Sequence, residues 1–322
     1  MLERWFNRAW YGGLQWTWLL LPLMLIYRYV VVQRRKSYLA ARTKQLGVPV
    51  IVVGNITVGG TGKTPVICEL ACQLSAQGKR VGVLSRGYGA KAPFYPFPVK
   101  TDSPVNEAGD EPLLIAQRGY SVVIDPVRSR GAQHLAAMGV DVILCDDGMQ
   151  HYALYRDLEI CLLDGERQLG NRQLLPVGPL REPASRLNEV DFVWYNGANG
   201  ADCFYLQPAA FVNLKTRQRI SVDAFNAGAC VAVAGIGNPQ RFFSTLQQMG
   251  IEAHCIPLPD HYAYAEDDFA QYAEQKLIMT EKDAVKCSGF ATENMWYLEV
   301  QAQIPQHLLS MFFKRLDEVA HG

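Results

Sequence analysis

From residue 48 onward the chain alternates apolar runs with segments of helical periodicity. The runs are VPVIVV (48–53), VGVLS (81–85), SVVID (121–125), VDVILCDD (140–147), LEICLLD (158–164) and DFVWY (191–195). Each is continuously apolar rather than alternating, the mark of a strand covered on both faces. The pattern therefore predicts a parallel sheet in an α/β fold. A glycine-rich loop follows the first run. A helix is expected from about Pro65, with Val66, Ile67, Leu70, Ala71 and Leu74 on one face and Gly78 ending it. LLPVGPLREPASRL (174–187) holds three prolines and reads as an ordered loop. Residues 203–226 read as two short extended segments around a polar turn, a two-stranded bridge. Beyond it a second α/β lobe opens at CVAVAGIGNPQRF (230–242) and includes KLIMT (276–280). The expected division is an N-terminal segment 1–46, a core 47–200, a two-stranded linker 201–228 and a second lobe 229–322.

The N-terminal segment follows a different pattern. Residues 14–32 read LQWTWLLLPLMLIYRYVVV. Basic residues rather than a small-residue cleavage site follow, so a signal peptide fits poorly. The uncharged core, Trp16 to Tyr27, is short of the roughly 20 residues that span a bilayer. Pro22 lies inside it and Arg28 interrupts it. The aromatics Trp5, Phe6, Trp10, Trp16, Trp18, Tyr27 and Tyr29 suit a headgroup boundary. Arg34, Arg35, Lys36, Arg42 and Lys44 would meet anionic headgroups. The pattern favours a helix lying in or dipping into a membrane leaflet. The alternative is a hydrophobic helix packed on its own domain.

Charge sharpens that contrast. The chain has 31 basic and 31 acidic residues and no net charge. Residues 1–50 alone carry +7, so the remainder carries −7. A general nucleic-acid binder is excluded, because counterion release needs an excess of Lys and Arg. A composition of 49% hydrophobic and 19% charged residues excludes a disordered chain. The eight cysteines form no CxxC pair and no zinc spacing. Most stand in apolar runs, where reduced, buried thiols are expected.

The most informative stretch is VVGNITVGGTGKTP (52–65): a strand, then glycines, then Lys-Thr at the head of a helix. A phosphate needs backbone N–H groups turned inward, a helix N-terminus beneath it and a lysine for the β/γ oxygens. Thr57, Val58, Gly59, Gly60, Thr61, Gly62, Lys63 and Thr64 form the candidate cradle, with Thr64 placed to ligate Mg²⁺. Thr57 stands where a Walker A loop usually has Gly. Asp146 and Asp147, ending VDVILCDD, supply the carboxylates a nucleotide-bound metal requires. TEKD (280–283) is not a guanine-recognition motif, and GIGNPQ (235–240) lacks the third glycine of a dinucleotide fingerprint.

Phosphoryl transfer to a hydroxyl also needs a base and further cations. Asp110, in NEAGDEPLLIAQRG, is either that base or a helix N-cap. His261, in PLPDHYAY, and His151, in DDGMQHY, are candidate site histidines; solvated or structural histidines are the alternatives. Arg181 and Glu182 in the PLREP sequence could reach phosphate and metal, or form a surface ion pair.

Taken in order, VGNITVGGTGKTP, LSRGYG (84–89), AGDEP (108–112), DDGMQH (146–151), LLPVGPLREP (174–183), AGIGNPQRFF (234–243), PDHYAY (259–264) and TEKDAVK (280–286) resemble the tetraacyldisaccharide 4′-kinase family. The resemblance runs from the basic N-terminal helix to near residue 290. It implies two α/β lobes joined by a β-ribbon. It also implies an ATP- and Mg²⁺-dependent kinase acting on the 4′-hydroxyl of a tetraacylated glucosamine disaccharide 1-phosphate, giving lipid IV-A. By the same resemblance Asp110 is the catalytic carboxylate and His261 the histidine that pairs with it. Asp146, Asp147 and Glu182 fall on the metal side, and Tyr88, Gln150 and His151 line the site. An acylated substrate places the enzyme on the cytoplasmic face of the inner membrane, with no protein partner implied. The rival class is a membrane-surface P-loop switch ATPase. Its deviant loop carries a second lysine where this chain has Val58.

Overall fold

Among the described residues, thirteen strands join in one continuous sheet. In the computed structural model, which describes residues 2–13, 15–40, 45–260 and 262–321, the strands are β1 (Val50–Gly54), β2 (Val81–Ser85), β3 (Phe97–Val99), β4 (Ser121–Ile124), β5 (Val142–Asp146), β6 (Leu158–Asp164), β7 (Phe192–Asn196), β8 (Cys203–Asn213), β9 (Arg219–Ser221), β10 (Cys230–Ala234), β11 (Ala253–Pro257), β12 (Lys276–Thr280) and β13 (Met295–Gln303). The helices are α1 (Leu2–Tyr11), α2 (Leu21–Ala40), α3 (Lys63–Ala76), α4 (Val105–Ala108), α5 (Asp110–Gln117), α6 (Arg128–Ala137), α7 (Pro239–Gln248), α8 (Glu281–Cys287) and α9 (Gln306–His321).

The order across the sheet is β11-β10-β12-β13-β8-β7-β6-β1-β5-β2-β4-β3, with β9 added to β8. Pairings are parallel except β3–β4, β8–β13 and β8–β9. All six predicted apolar runs are strands of the larger half, and the reason they lack alternation is visible in β1. Ile51 and Val53 pack beneath α3, α5 and α9, with Leu70, Leu113 and Phe312. Val50 and Val52 face the other way, onto Ala132 and Leu135 of α6. Each fully buried aliphatic side chain contributes about 1.5–3 kcal/mol, so both faces hold the sheet.

The two halves are joined by a ribbon. β8 pairs in parallel with β7 only at Cys203 and Phe204, then runs antiparallel to β13 from Tyr205 to Asn213. The extended segments expected over 203–226 are β8 and β9, but the longer partner of β8 is β13, about ninety residues on. MWYLEVQAQ mixes polar and apolar positions because only part of it is covered.

Helix α3 starts at Lys63, two residues before the expected Pro65. Pro65 sits in the first turn, where backbone N–H groups lack intrahelical partners and its missing donor costs nothing. Six cysteines are buried as expected, whereas Cys72 and Cys255 are exposed.

The apolar N-terminus forms α1, a 3₁₀ turn (Trp16–Leu20) and the 20-residue α2. Pro22 lies at the head of α2 rather than inside a helix, a position proline tolerates. Only 11% of the apolar stretch is buried, and Leu19, Leu23, Leu25, Ile26, Tyr29 and Val30 stay exposed. The alternative of a helix packed wholly on its own domain is therefore not what the structure contains. By length and composition Trp16–Ala40 is long and apolar enough to cross a bilayer. The uncharged core Trp16–Tyr27 lies within this stretch, which continues as helix through Arg28.

Candidate active site

The strand order places β1 between β5 and β6, and the loop after β1 opens at the carboxyl ends of these strands. That edge is where open α/β sheets bind ligands. The register sets Val53 beside Asp146. Ser85, at the end of β2, donates its hydroxyl to Asp146 Oδ2 at 3.4 Å. Sheet pairing alone thus brings the loop and the carboxylates together.

The loop itself is held at several points. Asn55 Nδ2 donates to the Gly59 carbonyl at 3.3 Å, and Asn196 Nδ2 to the Thr61 carbonyl at 3.3 Å. Gly62 caps α3 with φ +89, and a Cβ there would lie 3.0 Å from Asn196 Nδ2 and 3.1 Å from Leu206 Cδ1. Any other residue would be strained and crowded. Thr57 forms a single antiparallel bridge with Leu180, and Val58 N–H donates to the Pro179 carbonyl at 3.0 Å. The proline-rich loop is therefore ordered by pairing with the phosphate loop. Gly59 and Gly60 lie exposed at the tip, while Thr61 and Thr64 are buried.

Lys63 Nζ lies 3.5 Å from Asp147 Oδ1, and Arg181 Nη1 lies 3.4 Å from Asp147 Oδ2. Burial raises Asp147, but these two cations outweigh it and hold the carboxyl below its usual range. Asp147 itself adopts φ +47, a left-handed conformation uncommon outside glycine. Burial pushes Asp146 up to about 7, with Glu111 and Asp147 adding to it. Asp146 Oδ1 and Thr61 Oγ1 are buried without a hydrogen-bond partner among the described residues.

That donor set fits Mg²⁺, which takes oxygen ligands and binds through one or two carboxylates together with substrate phosphates. No group of three or more His, Cys, Asp or Glu forms an all-protein metal cage among the described residues.

The remaining candidates are spread around this centre. Glu182 is buried, with Tyr152 and Gln150 donating to its two oxygens and Arg186 Nε 3.5 Å away. Its carboxylate is engaged by protein donors rather than by Arg181. Gln150 also donates to the Asn55 carbonyl at 3.0 Å, tying the DDGMQH turn to the phosphate loop. Burial, with Arg128 and Arg86, pushes His151 down to about 4, so it is neutral near pH 7. Tyr88 is 71% exposed in a loop that packs against Gly109.

Gly109, with φ +85, is the N-cap of α5, and Asp110 occupies the first turn. The cap interpretation of Asp110 is thus one residue out of place, although its Oδ1 accepts from Glu111 N–H at 2.9 Å. Asp110 is buried, with Lys286 Nζ 3.9 Å from its Oδ2. Lys286 also pairs with Asp283 at 3.2 Å and lies over the Tyr264 ring. Lys282 pairs with Glu111, and Glu281 with Arg118 at 2.7 Å. Helix α8 of the smaller half therefore grips α5 and its C-cap residue in the larger half through three ion pairs. His261 lies outside the described residues. Asp260, beside it, contributes to holding Lys282 above its usual range.

Two residues that the sequence patterns did not single out belong to this centre. Arg128 donates to the Asp146 carbonyl at 2.9 Å from the first turn of α6. Lys286 stands within TEKDAVK, but nothing in that string identifies Asp110 as its partner. Both contacts depend on how distant segments meet.

Residues 16–317 match the family described as Tetraacyldisaccharide-1-P 4'-kinase. The chain belongs to that family. It is 51% identical to the tetraacyldisaccharide 4'-kinase of Pseudomonas entomophila, over 98% of this chain and 96% of that one. It is 46% identical to the enzyme of the same name from Photobacterium profundum, over 92% and 89%. The crystal structure of Aquifex aeolicus LpxK in complex with ATP superposes with a TM-score of 0.77 at 30% identity, covering 93% of this chain and 99% of that one. Family membership sets aside the switch-ATPase class. The likeness to the Aquifex aeolicus structure agrees with the α/β architecture and its large, mostly parallel sheet.

Proposed function

We propose that this chain transfers the γ-phosphoryl group of ATP to the 4′-hydroxyl of a tetraacylated disaccharide 1-phosphate, with Asp110 as the base. Lys63 and the amides of the Thr57–Thr64 loop hold the β/γ-phosphates over the N-terminus of α3. Thr64 and Asp146 would hold Mg²⁺, which supplies charge neutralisation on the transferring group. Asp147, fixed between Lys63 and Arg181, orients both cations. Asp110 accepts the hydroxyl proton as the oxygen attacks in line. His261 is assigned to orient Asp110, and Tyr88, Gln150 and His151 to line the acceptor side. Residues 229–322 act as the lobe that closes over the nucleotide, and the α5–α8 ion pairs are the seam on which it closes.

The apolar face of α2 and its basic end dock on the cytoplasmic leaflet of the inner membrane, where an acylated substrate resides. Each CH₂ withdrawn from lipid would cost about 0.8 kcal/mol, so the enzyme goes to the substrate. The observation that carries the kinase reading is the convergence of Lys63, Asp146 and Asp147 at the end of β1 in a chain of this family. The test is label transfer from γ-labelled ATP in the presence of the dispersed lipid disaccharide. Label on the lipid supports the reading; ATP turnover indifferent to the lipid contradicts it.

A further inference from the structure

The N-terminal helices do more than present an apolar face. The side of α1 and α2 turned toward the protein meets residues 167–171, the 174–183 loop, Tyr152 and Glu189, and the 174–183 loop is the part that also touches the phosphate loop. Trp10 Nε1 donates to the Pro176 carbonyl at 3.1 Å, and Asn171 N–H donates to the Trp10 carbonyl at 2.9 Å. Met24 packs with Leu174, Val177 and Leu180, and Tyr27 joins the edge of that cluster. The opposite edge of the same loop is paired with the phosphate loop, through Thr57, Val58 and Ile56. The 174–183 loop thus lies between Met24 and Tyr27 of the exposed apolar helix and the nucleotide site.

Arg181 is the residue at which the two edges meet. Its N–H donates to the Ile56 carbonyl at 2.7 Å, anchoring it to the segment leaving β1. Its carbonyl accepts from the Tyr27 hydroxyl at 3.1 Å, anchoring it to α2. Its guanidinium reaches Asp147, which also meets Lys63. With both backbone groups pinned, Arg181 is fixed at a point from which its guanidinium reaches Asp147. Displacing it would leave Asp147 to compete with the phosphates for Lys63. Burial raises Tyr27, so its phenol remains protonated and able to donate.

We propose that Tyr27 is a positioning residue for the nucleotide site: by holding the Arg181 carbonyl it couples the seating of the exposed apolar helix to the Arg181–Asp147–Lys63 arrangement. The inference rests on the nucleotide-site reading above. It makes α2 part of the catalytic scaffold as well as its docking surface.

Tyr27→Phe keeps the ring in its apolar cluster and removes only the hydroxyl. In the full-length protein, titration with Mg–ATP in the absence of lipid acceptor should show affinity reduced about fivefold, the scale of one lost hydrogen bond. Binding to anionic phospholipid vesicles should be unchanged. Tyr27→Phe should have no further effect in an Arg181→Ala background, because the cycle isolates the coupling between the two residues. Wild-type ATP affinity in Tyr27→Phe would overturn the proposal. So would an equal loss in both backgrounds, which would reduce Tyr27 to general support of the fold. Wild-type protein that binds ATP but does not phosphorylate the lipid would instead count against the kinase reading and leave the coupling measurable.

Discussion

Lys63 and Asp147 stand 3.5 Å apart, the lysine at the head of α3 and the carboxylate just beyond β5, with Arg181 on the other carboxylate oxygen. The pair places the Lys63 ammonium, proposed to bind the β/γ-phosphates, beside the carboxylates at the end of β5. Lys63→Ala removes the only cation that the loop itself carries. We expect kcat to fall by 10² or more, the scale seen when a charge-stabilising group is lost. Retention of more than a tenth of wild-type turnover would show that the loop is not the phosphate cradle.

Asp283 shows how much of the site's support lies outside it. It is fully buried, accepts from Gly235 N–H at 3.0 Å and from Thr280 Oγ1 at 2.7 Å, and pairs with Lys286 at 3.2 Å. Asp283→Ala leaves the Gly235 N–H without this partner and leaves Lys286 only its longer contact with Asp110 and its place over the Tyr264 ring. Breaking such a buried pair costs about 3–5 kcal/mol, so the denaturation midpoint should drop sharply. An unchanged midpoint would mean that this network does not bear on stability.

Much of the fold was legible in the chain. Uninterrupted apolar runs mark strands covered on both faces, and β1 to β7 obey that rule except for the three-residue edge strand β3. The phosphate loop was legible because it is local: strand, glycines and Lys-Thr occupy one stretch. The pairing of β8 with β13, the contact of Lys286 with Asp110 and the docking of Tyr27 on Arg181 were not. Each joins segments distant in sequence, and no periodicity encodes which distant segment completes a site. Glu182 is instructive in the same way. The PLREP string shows a charged pair, whereas packing sends Arg181 to Asp147 and Glu182 inward to Tyr152 and Gln150.

His151 gives a pH signature. Its ordinary value is about 6.5, and burial holds it near 4 in the folded protein. Between those values the unfolded chain binds the extra proton. The stability this histidine contributes is complete above about pH 6.5 and is lost as pH falls toward 4. The thermal midpoint of His151→Gln should therefore fall less between pH 7 and pH 5 than that of the wild type. An equal or larger fall would contradict the assignment.

Leu25 and Ile26 are 53% and 62% exposed on α2. Replacing both with Asp should abolish flotation with anionic vesicles while leaving the thermal midpoint within a degree or two, because neither side chain is core. A protein that still floats would remove α2 as the docking face. One that unfolds would show the helix to be buried in a way the structure does not contain.

The account turns on Asp110, buried at the head of α5 and faced by Lys286 across the seam between the two halves. The direct measurement is kcat of Asp110→Asn on detergent-dispersed lipid disaccharide, with ATP affinity measured in parallel. Asparagine preserves size and the bond to Glu111 N–H but cannot take the hydroxyl proton. The account predicts a loss of roughly 10² or more in kcat with ATP binding retained; near-normal turnover with the same ATP binding would contradict it.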